Sequence, residues 1–167
     1  MRTPEPDPNI LVWFRGGYRP LGEANISILT HALHYGTGVF EGIRAYWDEA
    51  QEELFLLRAE EHFARWKRNC GIIRIQVEES PRELTRIAID LCRRNRFRTD
   101  VYLRPLAWKA ASRIGVQPDD LDATALIAIP FGAYLPSENG IHAGVASSRR
   151  LEDNPIPGPA QICGAYA

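Results

Sequence analysis

The residue types best suited to chemistry crowd between His31 and Trp47, in the string HALHYGTGVFEGIRAYW. Tyr35, Phe40 and Arg44 sit among Gly36, Gly38 and Gly42, which sets aromatic and cationic side chains on a backbone free to turn or approach a ligand closely. A glycine-rich bend feeding a core strand accounts for the same pattern, and the pattern alone favours it. His31 and His34 are three apart and His62 follows downstream, so a metal site has to be weighed. Zinc normally takes three or four ligands at a clear spacing, and no cysteine or carboxylate completes a set here. The histidines are therefore read as hydrogen-bonding residues, and no metal is expected. Amine chemistry has few carriers, because Lys67 and Lys109 are the only lysines and arginine supplies the rest of the basic charge. Cys70, Cys92 and Cys163 are far apart and odd in number, which reads as reduced thiols in a cytoplasmic protein.

These residues have to be positioned by 167 residues, enough for one domain with a core. A net charge of -1 gives no electrostatic footprint for nucleic acid, and no apolar run is long enough to span a bilayer. The proline-rich start MRTPEPDPN lacks the apolar core of a signal peptide. Ile10 to Arg15 reads as a strand, Gly16-Gly17 as a hairpin turn and Tyr18 to Leu21 as the return. Residues 39–47 read as one strand, followed by the turn DEAQEE and a second strand from Leu54 to Leu57. Ala59, Phe63, Trp66 and Cys70 share one face of a helix that Gly71 is expected to end. Ser80-Pro81-Arg82-Glu83 is a capping box opening a second helix, whose basic end, Arg93, Arg94, Arg96 and Arg98, complements the helix dipole. Val101 to Trp108, Ala123 to Phe131 and Ile141 to Ser147 read as further strands, and Pro118 to Asp120 and Pro136 to Gly140 as turns. Glu152 to Pro159 has linker composition. The expected class is α+β, with a mainly antiparallel sheet and two flanking helices.

The string HALHYGTGVFEGIRAY resembles the N-terminal signature of branched-chain amino-acid aminotransferases, in the class IV group of pyridoxal-phosphate enzymes. EEHFARW, YLRPL, FGAYL and the closing RRLEDNPIPGPAQICGAYA resemble further motifs of that family in the same order. The resemblance covers residues 10 to 167. It implies a disordered N-terminus over 1–9, the small domain of the class IV fold over 10–150, and an interdomain linker with the truncated start of a second domain over 151–167. It also implies amino-group transfer between leucine, isoleucine or valine and 2-oxoglutarate or glutamate with pyridoxal 5′-phosphate, by a cytoplasmic protein that forms homo- or hetero-oligomers with aminotransferase subunits. Position by position, Arg65 corresponds to the arginine that grips the cofactor phosphate and Tyr166 to a tyrosine near the cofactor's phenolic oxygen. Tyr35, Phe40, Arg44, Tyr102, Arg104 and Tyr134 correspond to residues lining the substrate pocket.

One position departs from the family. Its chemistry uses a lysine that forms an imine with the cofactor aldehyde and moves the substrate proton, and Gln161 stands there. A carboxamide nitrogen is neither nucleophilic nor basic, so the resemblance implies an aminotransferase by descent and a chain inactive alone. Two alternatives are a non-catalytic remnant or oligomerisation partner of an intact aminotransferase, and a relative of D-amino-acid transaminase or aminodeoxychorismate lyase. VFEGIRAY and YLRPL fit the branched-chain branch better than the latter.

Overall fold

The computed structural model describes residues 7–132, 140–145, 147 and 160–166. Its chain opens with a hairpin, β1 (Leu11–Phe14) and β2 (Gly17–Pro20). Phe14 pairs with Gly17, which puts the turn at Arg15-Gly16, one residue earlier than expected, with φ of 50° and 83°. Two positive φ angles make the primed turn whose twist suits a hairpin. A short helix, α1 (His31–Tyr35), follows and stops at Gly36, left-handed at φ 65°. Five residues carry too little periodicity to be read from sequence, and the pattern of the chain does not predict α1.

Next come β3 (Gly38–Phe40), β4 (Ile43–Asp48) and β5 (Glu53–Leu56), then α2 (Ala59–Ile72) and α3 (Pro81–Arg94), then the long strands β6 (Val101–Lys109) and β7 (Asp122–Pro130). Gly71 lies inside α2 rather than ending it, and Ile73 caps the helix through its N–H. α3 starts on the expected capping box: the Ser80 hydroxyl accepts from the Glu83 N–H, and the Glu83 carboxylate accepts from the Ser80 N–H at 2.7 Å. Residues 141–145 form no strand. Among the described residues they have no pairing partner, so their alternation has no ladder to join there. Pro136 to Asn139 of the expected turn and the whole of the Glu152 to Pro159 linker composition lie outside the described residues.

All seven strands form one antiparallel sheet in the order β2-β1-β7-β6-β4-β5, with β3 also on β6. The expected single strand over 39–47 is broken into β3 and β4, and the break has a cause. Phe40 pairs with Leu106 and Ile43 with Leu103 in unbroken register, so Glu41 and Gly42 lie opposite Pro105 and Arg104. The Glu41 N–H still reaches the Pro105 carbonyl at 3.1 Å, but proline has no N–H to return.

Alternation along β6 sends Val101, Leu103 and Ala107 to one face, where they meet Phe63, Trp66, Leu84, Ala88 and Leu91 of α2 and α3 in the main core. The other face carries Val12, Phe14, Trp108 and Ala125 and is covered in part by Leu21, Ala24 and Ala32. At one end of the sheet Lys109, buried, holds Asp122 at 2.8 Å and donates to the Arg74 carbonyl at 2.7 Å.

Candidate functional site

β3 is the strand around which the candidate residues gather. On the helix-facing side of β3 and β4, Val39, Ile43 and Ala45 are fully buried, and the same parity carries Glu41, between the two strands, inward, 1 % exposed. A carboxylate there has to be paired. Arg65 of α2 meets it through two bonds, Nε to Oε2 and Nη2 to Oε1, each at 2.6 Å. The Gly42 N–H donates to Oε1 at 2.9 Å, and His62 Nδ1 lies 3.4 Å away. Burial pushes the Glu41 carboxyl up, but the Arg65 bonds, the Gly42 N–H and the charges of Arg65 and His62 outweigh it and hold the group below its ordinary value. The guanidinium of Arg65 keeps its outer edge in solvent, with the side chain 45 % exposed.

The free edge of β3 is taken by the segment 160–164. Val39 bridges Ile162, the Phe40 N–H donates to the Gln161 carbonyl at 3.0 Å, and the Gly164 N–H donates to the Gly36 carbonyl at 3.2 Å. The inner end of the Gln161 carboxamide faces two acceptors, which assigns Nε2 rather than Oε1 to that end; so oriented, it donates to the Phe40 carbonyl at 3.1 Å and to Glu41 Oε1 at 3.0 Å. The close approach explains two glycines: a Cβ at Gly36 would lie 2.8 Å from Gly164 Cα, and one at Gly38 would lie 3.0 Å from Cys163 Sγ.

The opposite face of the sheet holds a second group, an alternating ladder of arginine and aromatic rings. Arg104 lies 4.5 Å over the Phe40 ring and 5.1 Å over Tyr102, and donates twice to the Tyr102 hydroxyl, at 3.1 and 2.8 Å. Tyr102 packs 5.4 Å from Phe131. Arg44 then lies 5.5 Å over both Phe131 and Tyr46, donates to the Gly132 carbonyl at 3.2 Å and sits 3.6 Å from Asp100. Each guanidinium is held over ring faces, where its charge meets the negative side of the ring quadrupole. On the same face an apolar hollow of 310 Å³ runs past Leu106, lined by Phe14, Leu33, Trp108 and Ile127.

Residues 38–160 match the family model of amino-transferase class IV. The chain belongs to that family. Among curated relatives of this class IV chain, the probable branched-chain-amino-acid aminotransferase of Aquifex aeolicus is 42 % identical over 157 residues, which are 92 % of this chain and 50 % of the relative. A branched-chain aminotransferase from Thermoproteus uzoniensis, solved with norvaline, superposes with a TM-score of 0.87 at 37 % identity, covering 94 % of this chain and 52 % of that one. The branched-chain amino acid aminotransferase of T.th., complexed with N-(5′-phosphopyridoxyl)-L-glutamate, superposes with a TM-score of 0.83 at 37 % identity, covering 93 % of this chain and 51 % of that one. The chain therefore spans about half the length of the curated relatives it matches.

Of the positions singled out in this class IV sequence, Phe40, Arg44, Tyr102 and Arg104 are brought together in the ladder. Arg65 and Gln161 meet on the other side of β3 through Glu41. Tyr35 stands elsewhere: its hydroxyl accepts from the Gly115 N–H at 3.1 Å and its ring lies 4.5 Å from that of His31. Tyr134 lies outside the described residues. Tyr166 closes a short 3-10 turn, Cys163–Tyr166. His31 bonds Thr37 Oγ1 and His34 the Ile28 carbonyl, each at 2.8 Å. Among the described residues no group of three or more histidines, cysteines, aspartates or glutamates is arranged to hold a metal, and no helix is long and apolar enough to cross a membrane.

Sequence reasoning missed Glu41. The available signal was its parity, a charge at an inward position of the alternating run Val39, Glu41, Ile43, Ala45, with two cationic or titratable residues one helical turn apart, His62 and Arg65, in the next helix.

Proposed function

We propose that this chain provides the substrate-lining sheet of a branched-chain amino-acid aminotransferase whose substrates are leucine, isoleucine or valine and 2-oxoglutarate or glutamate, with pyridoxal 5′-phosphate as the family's cofactor. The observation that carries this reading is the gathering of Phe40, Tyr102, Arg104 and Arg44 into one face, on the strands that the class IV match spans. Rings and the adjoining apolar hollow suit an aliphatic side chain, and Arg104 offers a cation for a carboxylate. By resemblance alone, Tyr35, which stands away from the ladder within this chain, and Tyr134 are assigned to the polar rim of that pocket, and Tyr166 to the neighbourhood of the cofactor ring. Arg65 is assigned to the cofactor phosphate, because its outer edge faces solvent while Glu41 fixes the inner one. Three unpaired cysteines support a cytoplasmic location.

The described residues do not fit covalent attachment of that cofactor. Gln161 stands at the position assigned to the lysine, and its carboxamide is already bonded to Glu41 and Phe40. The two lysines are committed elsewhere, Lys67 to the Glu79 carbonyl at 2.6 Å and Lys109 to Asp122 and Arg74. The chain as it stands is accordingly assigned no amino-group transfer of its own. Purified chain is mixed with pyridoxal 5′-phosphate, reduced with borohydride and mapped by mass spectrometry, alongside an assay of leucine with 2-oxoglutarate. The expected result is no site-specific adduct and background turnover. A stoichiometric adduct on one residue together with amino-group exchange would overturn the assignment.

A further inference from the structure

We propose that Gln161 is a positioning residue that clasps the segment 160–166 onto β3, making this a closed hydrogen-bonded joint rather than an amine site left empty. The inference goes beyond the aminotransferase reading and stands on geometry alone. The buried Glu41 carboxylate already has one full cation in the bidentate guanidinium of Arg65. Oε1 also accepts from the Gly42 N–H at 2.9 Å, and the Gln161 amide adds a further neutral donor at 3.0 Å while its second N–H takes the Phe40 carbonyl at 3.1 Å. The Gln161 backbone carbonyl accepts from Phe40 as well, so one residue bonds the same short stretch of strand through both main chain and side chain. Ala160 and Ile162, each 3 % exposed, are held on either side of it. A primary ammonium at 161 would bring a second cation to a carboxylate that has one, in competition with Arg65, whereas the carboxamide adds a bond without a charge.

Cys163 reports on the joint, since its thiol lies against Gly38 in the docked segment, while Cys70 and Cys92 are buried in α2 and α3. The native chain is labelled with a thiol-specific reagent, and the modification rate at each cysteine is followed by mass spectrometry. In Gln161→Leu, Cys163 is expected to label at least about tenfold faster than in the native chain, with Cys70 and Cys92 still protected. That tenfold corresponds to about 1.4 kcal/mol of docking, the size of one to two hydrogen bonds. Unchanged Cys163 protection would overturn the proposal and leave apolar packing of Ala160 and Ile162 as the clasp. If all three cysteines label faster, the variant has unfolded globally, and Gln161→Glu then decides.

In Gln161→Glu a carboxylate faces Glu41, with Arg65 and His62 on α2 and Arg104 near Cys163 as the other charged groups about the joint. Two carboxylates so close share one proton. The exchange protection of the Gly164 amide, corrected for intrinsic rates, is expected to be low at neutral pH and to recover on acidification, where the native chain shows no such recovery. A flat profile equal to that of the native chain would sink the inference. Neither readout contains a cofactor, so the outcome is independent of the borohydride experiment above.

Discussion

At the scale of single residues the decisive fact is an asymmetry in one ion pair. Glu41 is buried and Arg65 is half in solvent, so the two halves are not equally expensive to lose. Arg65→Ala strands an uncompensated buried carboxylate and is expected to cost about 3 kcal/mol, whereas Glu41→Gln leaves a guanidinium that can rehydrate and is expected to cost about 1 kcal/mol. Chemical denaturation at neutral pH measures both. The pH dependence separates them further. With Arg65 present the folded carboxyl lies below the unfolded value, so its stabilisation is complete above the ordinary glutamate pKa of about 4.3 and is lost as pH falls through the lower folded value. Without Arg65, the Gly42 N–H, the Gln161 amide and His62 are left to oppose burial, the largest single influence, so the folded pKa is expected to rise above the unfolded one and stability to fall as pH rises. Opposite slopes of the unfolding midpoint against pH on the acid side of neutrality are the expected outcome. Parallel slopes would show that Arg65 does not govern the charge of Glu41. Arg65 itself was legible only through resemblance, since on the helix it reads as a solvated surface residue. Glu41 was legible in principle, as the wrong residue type at an inward strand position.

Elements were legible in proportion to how local their causes are. The capping box of α3 is written in four consecutive residues and forms as expected. Ser80→Ala removes one of its two reciprocal bonds and is expected to cost about 1 kcal/mol, a fall in melting temperature of about 2–4 °C for a chain of this size, read by circular dichroism. The division between β3 and β4 was not legible, because its cause, Pro105, lies on another strand and acts only once the register is known. Gly71 misled for the opposite reason: a residue that often ends helices was overruled by packing of Phe63, Trp66 and Cys70 against the core. Gly42, also at the break, has a steric reason that no local pattern carries. A Cβ there would overlap the Tyr102 hydroxyl and crowd its ring, displacing the side chain to which Arg104 donates twice. Gly42→Ala is therefore expected to cost about 1–3 kcal/mol, and Tyr102→Phe introduced with it to recover part of that loss. A double-mutant cycle by urea unfolding checks this, and strict additivity would mean that Gly42 serves some purpose other than making room for Tyr102.

For the molecule as a whole, the class was read correctly and the strand order was not written anywhere in the chain. The antiparallel α+β architecture follows from hairpins interspersed with two amphipathic helices. That β1 should lie beside β7 depends on contacts across more than a hundred residues, which no window of sequence displays. The attachment itself is thin. β1 pairs with β7 only at Trp13 and Phe14, and in the same register Leu11 would next face Ala128. Asn95, at the end of α3, takes that place: its Oδ1 accepts from the Leu11 N–H at 2.8 Å and its Nδ2 donates to the Leu11 carbonyl at 2.9 Å and to the Leu91 carbonyl at 3.0 Å. A single carboxamide thus copies the hydrogen bonding of a neighbouring strand and ties the N-terminal hairpin to the helix layer. Asn95→Asp removes both amide N–H donors and turns a carboxylate toward two carbonyls, so it should cost about 2–3 kcal/mol, and Asn95→Ala somewhat less. The loss should be local. Amide exchange is expected to rise sharply along β1 and β2 and in Trp13, while β6 and β7, paired along nine residues, keep their protection. Equal loss of protection across both pairs of strands would show instead that the hairpin and the central sheet open as one cooperative unit, with the Asn95 bonds contributing to global stability alone.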